Sequence, residues 1–185
     1  GIQRYSRAQI DIARKYFNDE NVIIQSLWPP KSDAFEGTIN IGYYGQGRSL
    51  ASKIKYSASF LINVIKNKPA LIWINHIRLL PLAFLGKVLI PNARIILNVY
   101  GLEIWSGLRY FEKSLIKKEI NIISDSHYTS RYIQEKYFVK EDRIHVIWDP
   151  VDTNRFIPIP GIKASIASRY QIPYKEDSLI LMILG

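Results

Sequence analysis

A single carboxylate, Glu103, stands between apolar neighbours in the stretch IILNVYGLEIW, residues 95–105. A carboxylate in this place could accept hydrogen bonds from the hydroxyls of a ligand or orient a base. Gly101, two residues earlier, can take a positive φ and leaves space for a sugar ring or a phosphate. We therefore predict a ligand site at this loop. The simpler alternative is that Glu103 caps the loop that follows.

Hydroxyl and imidazole groups follow other apolar runs in the same way. Ser126 and Thr129 flank the start of a predicted helix, where Ser126 is a good N-cap and both hydroxyls could also face a ligand phosphate. His76 comes directly after the strand-like run 70–75. At the start of the chain, Gly1 would allow a phosphate to approach the first turn of a helix that also carries Arg4, with an ordinary helix start as the alternative.

Several other reaction classes lack their sequence signatures. His76, His127 and His145 are scattered, and neither H-x-x-x-H nor an acidic metal-binding loop accompanies them, so we predict no metal site. The glycines at 42, 45 and 47 do not match G-x-G-x-x-G, which disfavours a dinucleotide site. G-x-S-x-G and P-loop patterns are also missing, and we predict no cofactor.

Strand-like and helix-like segments alternate along the chain and would position these residues. Strands are predicted at 21–28, 38–44, 70–75, 94–99, 121–124, 144–147 and 178–185. Helices are predicted from the first residues, after Ser49, which is a suitable N-cap, and at 79–89, 109–118, 127–137 and 162–170. Because the strands are continuously apolar, they favour an α/β fold: a Rossmann-like parallel sheet with helices on both faces. Ligands bind at the carboxyl ends of such strands, where the candidate residues lie.

Pro158, Pro160 and Gly161 mark a break near the carboxyl end. We predict a first domain at 1–157, and at 158–185 a linker followed by the first strand of a truncated second domain. The chain opens without Met and inside a helix-like pattern, so we expect a fragment.

The chain is basic, with a net charge of +9. Residues 37–102 contain no Asp or Glu, whereas eight basic residues occur there: Arg48, Lys53, Lys55, Lys66, Lys68, Arg78, Lys87 and Arg94. This distribution favours an anionic partner, such as phosphates, nucleic acid or a membrane surface. No apolar run approaches the ~18–20 residues of a membrane span. Without cysteine the chain fits a reducing compartment, so we expect a cytoplasmic protein, in peripheral contact with an anionic membrane at its inner face.

Five segments together resemble one family: GIQRYSR, INHIRLLPLA, ILNVYGLEIW, SDSHYTSRYI and VIWDPVDTNRF. In this order they resemble the amino-terminal half of a family 4 glycosyltransferase, over nearly the whole chain. The strongest are YGLEIW, which is similar to the family's His-Gly-Leu-Glu loop, and DPVDTNRF, which is similar to its Asn-Pro-Val-Asp-x-x-x-Phe link. These enzymes have the GT-B fold, in which two Rossmann-like domains face each other across a cleft.

The resemblance implies the acceptor-binding half of a retaining enzyme that moves a sugar from a nucleotide-sugar donor to a glycan or lipid-linked acceptor. It implies that Tyr100 and Glu103 are catalytic. It also implies that Gly1 lies near the donor diphosphate, in what remains of a glycine-rich loop, and that the first domain at 1–157 lacks its first strand. The donor and acceptor would be bound with the help of Arg4, His76, Gly101, Ser126 and Thr129. The family's donor nucleotide site lies in the second domain, so we expect the chain alone to be inactive.

Two residues depart from the family pattern. Tyr100 replaces the usual His of the loop; it can still donate a hydrogen bond to a sugar, but it titrates near about pH 10 and is a poor base at neutral pH. Asp149 replaces the usual Asn of the link.

Two rival functions stay open. The first is a non-catalytic basic Rossmann-like module that binds nucleic acid or an anionic membrane surface; since no helix is dense in Arg and Lys, we predict no nucleic-acid partner. The second is another GT-B enzyme, such as an epimerase or a phosphorylase.

Overall fold

The computed structural model describes residues 2–18, 21–26, 40–43, 49–149, 153, 157, 161–173 and 175, with backbone alone at 2–5, 7 and 40–43. Backbone contacts divide the chain into two compact units, Gly1–Pro150 and Val151–Gly185. The domain boundary that the sequence indicates between residues 157 and 158 stays a prediction. The strand predicted at 178–185 lies outside the described residues.

Parallel strands form the centre of the first unit. β1 (Ile23–Ser26) pairs with β2 (Asn40–Tyr43) in a two-stranded group. β3 (Leu71–Ile74), β4 (Arg94–Val99), β5 (Asn121–Ser124) and β6 (Ile144–Val146) pair in chain order in a four-stranded group. Every described pairing is parallel, and from β2 onward helices connect each strand to the next, which confirms the predicted α/β, Rossmann-like fold class.

The helices of the first unit are α1 (Ile2–Phe17), α2 (Leu50–Asn67), α3 (Leu80–Leu89), α4 (Leu102–Trp105), α5 (Tyr110–Leu115) and α6 (His127–Tyr137). Two 3₁₀ turns, Ile77–Leu79 and Glu141–Arg143, precede α3 and β6. In the second unit the structure describes α7 (Ile162–Tyr170). Most bounds agree with the predicted segments to within a few residues. The helix predicted at 109–118 is shorter, and the single turn α4 was not predicted.

Local capping chemistry sets where α2 and α6 begin. Ser49 is extended, and its Oγ accepts a hydrogen bond from the Ser52 N–H at 3.1 Å. Ser126 is likewise extended, and its Oγ accepts from the Thr129 N–H at 3.3 Å. Serine is favoured here because its short side chain reaches an N–H of the first turn that has no partner within the helix. Both predicted N-caps are confirmed.

Apolar side chains from strands and helices form one core. Its largest fully buried aliphatic members are Ile77, Leu80, Ile95, Leu97, Ile104, Ile116, Ile122 and Ile133. Burial of each such side chain contributes about 1.5–3 kcal/mol. Gly86 of α3 permits the close packing of α3 on its neighbours, since a Cβ there would lie 3.1 Å from the Phe60 ring and 3.2 Å from Ile72 Cδ1. This packing fixes the strands whose carboxyl ends carry the candidate residues.

Candidate functional site

The loops that follow β4, β5 and β6 are joined at one edge of the sheet. The Asp125 N–H donates to the Val99 carbonyl at 3.4 Å, and the Ile147 N–H donates to the Ser124 carbonyl at 2.9 Å. The loop after β3 begins at the same edge, because β3 runs parallel to β4 and their carboxyl ends therefore lie together. The sheet thus brings its polar carboxyl-terminal residues together, as expected for the ligand-binding edge of an open parallel sheet.

The Glu103 side chain closes the loop that follows β4. Its Oε1 accepts a hydrogen bond from the Tyr100 backbone N–H at 2.7 Å. Glu103 also lies in the first turn of α4, where the exposed N–H groups of a helix favour a negative charge. The carboxylate therefore holds the loop in shape, which is the capping role that the sequence left open beside a catalytic one.

Gly101 adopts a conformation that other residues strongly disfavour. Its φ is 98°, and an ideal Cβ would lie 2.7 Å from Cζ2 of the Trp105 indole. The positive φ agrees with the sequence prediction. The indole of Trp105 fills the space beside Gly101. The main role of glycine at this position is therefore to let the loop pack closely against α4, the helical turn that follows it.

Aromatic residues of α6 hold α4 in place. The Trp105 and Tyr128 rings meet edge to face, with centroids 5.4 Å apart. The Tyr137 hydroxyl donates to the Ile104 carbonyl at 2.9 Å, and the Tyr132 hydroxyl donates to the Trp105 carbonyl at 3.4 Å. Burial raises the pKa of Tyr137 above its usual value of 10.0, so this donor stays protonated at neutral pH. The loop at residues 100–103 is therefore anchored to a second element.

Ser126 forms a small polar cluster at the start of α6. Its Oγ lies 3.0 Å from Thr129 Oγ1 and 3.2 Å from Asp125 Oδ1, and Ser124 Oγ donates to the Ser126 carbonyl at 2.9 Å. Ser126 is partly exposed, whereas Thr129 is fully buried. Any effect of Thr129 on a ligand is thus transmitted through Ser126.

His76 and Arg78 shape the loop that follows β3. The exposed His76 caps the 3₁₀ turn, and its Nδ1 accepts from the Arg78 N–H at 3.1 Å. Arg78 Nη1 donates to both carboxylate oxygens of Glu112, at 2.8 and 2.6 Å. Glu112 is only 2% exposed and also accepts from the Arg109 N–H at 2.7 Å. The Arg78–Glu112 ion pair therefore ties the His76 loop to the start of α5, a contact that sequence reasoning missed.

A chain of side-chain amides runs from α1 across β3 and β4. Asn98, which is almost fully buried, accepts from Trp73 Nε1 at 3.2 Å and donates to Asn75 Oδ1 at 2.7 Å. Asn75 Nδ2 in turn donates to Ser6 Oγ at 3.2 Å. This chain places the first turns of α1 at the carboxyl end of β3, beside His76. Asn98 is the one polar side chain within the run IILNV, a signal that could have identified it.

The sheet brings five predicted residues to one edge: His76, Tyr100, Gly101, Glu103 and Ser126. Arg4 lies in α1, and only its backbone is described. Gly1 lies outside the described residues. The catalytic and ligand-binding roles of all eight predicted residues, Thr129 included, stay predictions.

Within the described residues, His, Asp and Glu side chains form no group of three or more that could hold a metal ion. Among the described helices, none combines the length and apolar character needed to cross a membrane.

The described sheet and its helices form a Rossmann-like α/β unit with a glycosyltransferase-like fold. No protein-family model matches the chain, and no curated protein matches it in sequence. Membership of family 4 therefore stays a prediction.

Three solved structures with this fold are crystal structures of Anabaena Alr3699/HepE. The complex with UDP-glucose has a TM-score of 0.63 at 11% identity, and the complex with UDP and glucose has 0.62 at 11%. The complex with UDP has 0.65 at 10% identity. Each alignment covers 92% of this chain and 46–47% of the HepE chain, so this chain spans about half the length of these structures. At such low identity the likeness shows the fold alone.

Proposed function

We propose that this chain is the acceptor-binding half of a retaining glycosyltransferase, which moves a sugar from a nucleotide-sugar donor to a glycan or lipid-linked acceptor. One observation carries the proposal: the loop at residues 100–103, held by the Glu103–Tyr100 hydrogen bond, lies at the ligand-binding edge of the sheet. The fold is shared with HepE structures that contain UDP-glucose or UDP. The resemblance of YGLEIW to a family 4 loop supports the same function.

In this proposal Tyr100 and Glu103 orient hydroxyl groups at the reacting centre. A carboxylate has about four acceptor positions, so the Glu103 carboxylate can accept a sugar hydroxyl in addition to the Tyr100 N–H. Ser126, at the amino end of α6, is suited to the negative charge that develops on the leaving diphosphate. The family resemblance adds Gly1 and Arg4 as residues that help to bind the same phosphates, and His76 as a contact of the acceptor. Donor binding also needs the second domain, so the chain alone is inactive.

The test is sugar transfer by the full-length protein that contains this chain. UDP-glucose and other nucleotide sugars would be combined with a panel of glycan and lipid-linked acceptors, and NMR would give the anomeric configuration of the product. Glu103→Gln and Tyr100→Phe should each lower kcat/KM by roughly tenfold to a hundredfold, which corresponds to a loss of ~1.4–2.7 kcal/mol of transition-state stabilisation. The matched controls Glu119→Gln and Tyr110→Phe change exposed side chains and should leave kcat/KM unaltered.

Each outcome bears on a different part of the proposal. Unchanged turnover in both Glu103→Gln and Tyr100→Phe would show that the site is assigned wrongly. An inverted anomeric product would overturn the retaining mechanism. If the folded full-length protein transferred no sugar but bound DNA or RNA with steep salt dependence, the nucleic-acid-binding alternative would replace the enzyme.

We further propose that the protein is cytoplasmic and that α2 contacts the anionic inner face of a membrane. Large apolar residues on one side of α2 are exposed: Leu50, Ile54, Ile62 and Ile65. Their spacing places them in a single stripe about 120° wide. Exposed lysines flank this stripe, namely Lys53, Lys55 and Lys66. Each lysine near an anionic leaflet adds about 1 kcal/mol to binding, and the apolar stripe can enter the headgroup region.

Vesicle flotation tests the membrane contact. The chain should float with vesicles that contain phosphatidylglycerol, but not with vesicles of phosphatidylcholine alone. The double substitution Lys53→Gln with Lys66→Gln should abolish flotation, whereas Lys117→Gln with Lys136→Gln, which removes two exposed lysines elsewhere, should not. Equal loss in both pairs would mean that net charge, and not α2, governs the contact.

A further inference from the structure

Exposed aromatic rings follow three neighbouring strands at the carboxyl edge of the four-stranded group. Trp105 lies after β4, His127 and Tyr128 lie after β5, and Trp148 lies after β6. We call these four residues the aromatic row. Tyr128 is 62% exposed and Trp148 is 64% exposed, although tryptophan is highly buried on average in folded proteins. Exposed aromatic side chains at a ligand-binding edge are typical of a binding groove.

Contacts between the rings hold the aromatic row in one arrangement. The Trp105 and Tyr128 rings meet edge to face with centroids 5.4 Å apart, and the His127 and Trp148 rings do so with centroids 5.6 Å apart. His127 and Tyr128 are successive residues in the first turn of α6, so the helix connects the two pairs. An edge-to-face contact covers one face of one ring and leaves the other ring faces of the pair open. The row therefore offers flat apolar faces that are already ordered.

The aromatic row is longer than a single sugar ring. It begins beyond the end of β4 and finishes beyond the end of β6, with β5 between them. Neighbouring strands are about 4.8 Å apart, so the row extends over about 10 Å. Its first member, Trp105, packs on Gly101, where an added Cβ would lie 2.7 Å from Cζ2 of the indole. A ligand on the row thus starts beside the loop at residues 100–103 and extends away from it.

The stretches that carry the aromatic row contain acids but no Lys or Arg. Residues 99–108, 121–130 and 144–149 each include one acid, in a chain whose net charge is +9: Glu103, Asp125 and Asp149. The basic residues that follow most closely are Arg109, at the start of α5, and Arg131, in the second turn of α6. Single-stranded nucleic acid also stacks its bases on aromatic rings, but it requires a positively charged groove along its phosphates. The acid in each stretch therefore favours a neutral ligand.

A sugar ring fits both the aromatic faces and the polar groups beside them. Its faces consist of C–H groups, which the negative face of an aromatic ring attracts, and its rim consists of hydroxyls. Asp125 and Ser126 are partly exposed next to the first turn of α6, and Asp149 is exposed next to Trp148. Carboxylates accept hydrogen bonds from hydroxyls, and a serine hydroxyl can donate or accept. An alkyl chain would leave these polar groups without partners.

We propose that the aromatic row binds a neutral acceptor glycan of at least two sugar rings, which stack on Tyr128 and Trp148. This inference rests on the proposed function and narrows it, because it selects a glycan chain over a single lipid-linked sugar as the acceptor. Trp105, which contacts both Gly101 and Tyr128, directs the end of the chain toward the loop at residues 100–103. The row acts in the binding and choice of the acceptor, not in the chemical step.

Calorimetric titration of the full-length protein that contains this chain tests the inference without a donor. The probes are maltotetraose, cellotetraose, N-acetylchitotetraose and mannotetraose, each compared with its monosaccharide. At least one tetrasaccharide should bind more tightly than its monosaccharide by about tenfold or more, because it covers more than one ring of the row. Tyr128→Ala and Trp148→Ala should each weaken this binding by about tenfold, a factor that one stacked ring contributes in other aromatic platforms.

The chain offers a matched control pair and conservative variants. Tyr110 and Phe111 are also exposed and also meet edge to face, with centroids 5.9 Å apart, but they lie on α5. Tyr110→Ala combined with Phe111→Ala should leave tetrasaccharide binding unaltered. Tyr128→Phe and Trp148→Phe keep a ring and should retain most of the affinity, which separates stacking from a general loss of structure.

The outcomes separate this inference from the proposed function. If no tetrasaccharide binds more tightly than its monosaccharide, or if Tyr128→Ala and Trp148→Ala bind like the parent, the inference is overturned, even where the protein transfers sugar to a lipid-linked acceptor. An equal loss in the control pair on α5 would also overturn it. If tetrasaccharide binding depends on the row but the protein transfers no sugar, the glycan site stands and the proposed enzyme fails.

Discussion

The carboxylate of Glu103 accepts a hydrogen bond from the backbone N–H of Tyr100 at 2.7 Å, across the turn that contains Gly101. The bond spans three residues and fixes the entrance to α4. The acid that the sequence singles out therefore has a structural role even without a ligand. Stability and turnover must be measured separately, because a substitution of Glu103 changes both.

Glu103→Gln should lower the free energy of unfolding by about 1 kcal/mol. The amide oxygen can still accept from the Tyr100 N–H, but the bond loses its charge and the favourable interaction with the start of α4. Urea denaturation of the chain 1–185 measures the change. Glu119→Gln, in an exposed position, should stay within about 0.5 kcal/mol of the parent. A loss of the same size in Glu119→Gln would assign the effect to net charge.

Gly101→Ala should destabilise the chain by more than Gly107→Ala. Both glycines have positive φ, 98° and 93°, so both substitutions carry backbone strain of about 1–3 kcal/mol. Only at Gly101 would the new Cβ also meet the Trp105 ring, whereas nothing lies within 4 Å of a Cβ at Gly107. Thermal unfolding of the two variants separates the clash from the strain. Equal losses would mean that Trp105 moves aside freely.

Arg78→Ala should lower the free energy of unfolding by about 2 kcal/mol. Removal of one partner leaves the buried Glu112 carboxylate without its main counter-charge, which costs about 3–5 kcal/mol in fully buried pairs. The cost is smaller here because the Arg78 side chain is 37% exposed.

A double-mutant cycle checks this account. When Arg78→Ala is combined with Glu112→Gln, the loss should be smaller than the sum of the two single losses, since the neutral amide needs no counter-charge and can still accept from the Arg109 N–H. Additive losses would mean that Arg78 acts through packing alone.

Local patterns predicted the fold well, and long-range polar contacts could not be predicted. The run RIILNV indicates a buried strand because it carries apolar residues on both faces, and β4 has these bounds. Ser49 and Ser126 were predictable as N-caps because a cap bonds within its own turn. Helix α4 was missed because four residues make one turn, too few for an apolar period to show.

The Arg78–Glu112 pair was missed for a different reason. The two residues are 34 positions apart, and neither lies in a pattern that names the other. Their contact results from the packing of α3 against α5, which only the assembled sheet determines. Arg78 and Lys87 also belong to the predicted basic stretch, but Arg78 binds Glu112 and Lys87 donates to the Ala93 carbonyl. Composition alone could not separate these two residues from the exposed lysines of α2.

Stability should fall at alkaline pH partly through Tyr137. Burial raises the pKa of its hydroxyl, so the folded state holds this proton more tightly than the unfolded state does. The resulting stabilisation is fully present below the pKa of an unfolded tyrosine, about 10. It is lost as the pH rises through the higher pKa that Tyr137 has in the folded state. Burial also raises the pKa of Tyr56, which should act in the same direction.

Tyr137→Phe isolates this effect. At pH 7 the variant should be about 1 kcal/mol less stable, because the hydrogen bond to the Ile104 carbonyl is lost. Above pH 10 its free energy of unfolding should fall less steeply than that of the parent, so the two urea-denaturation curves converge. Tyr110→Phe, at an exposed position, should follow the parent throughout. A constant difference between Tyr137→Phe and the parent across this range would show that Tyr137 does not contribute to the alkaline loss of stability.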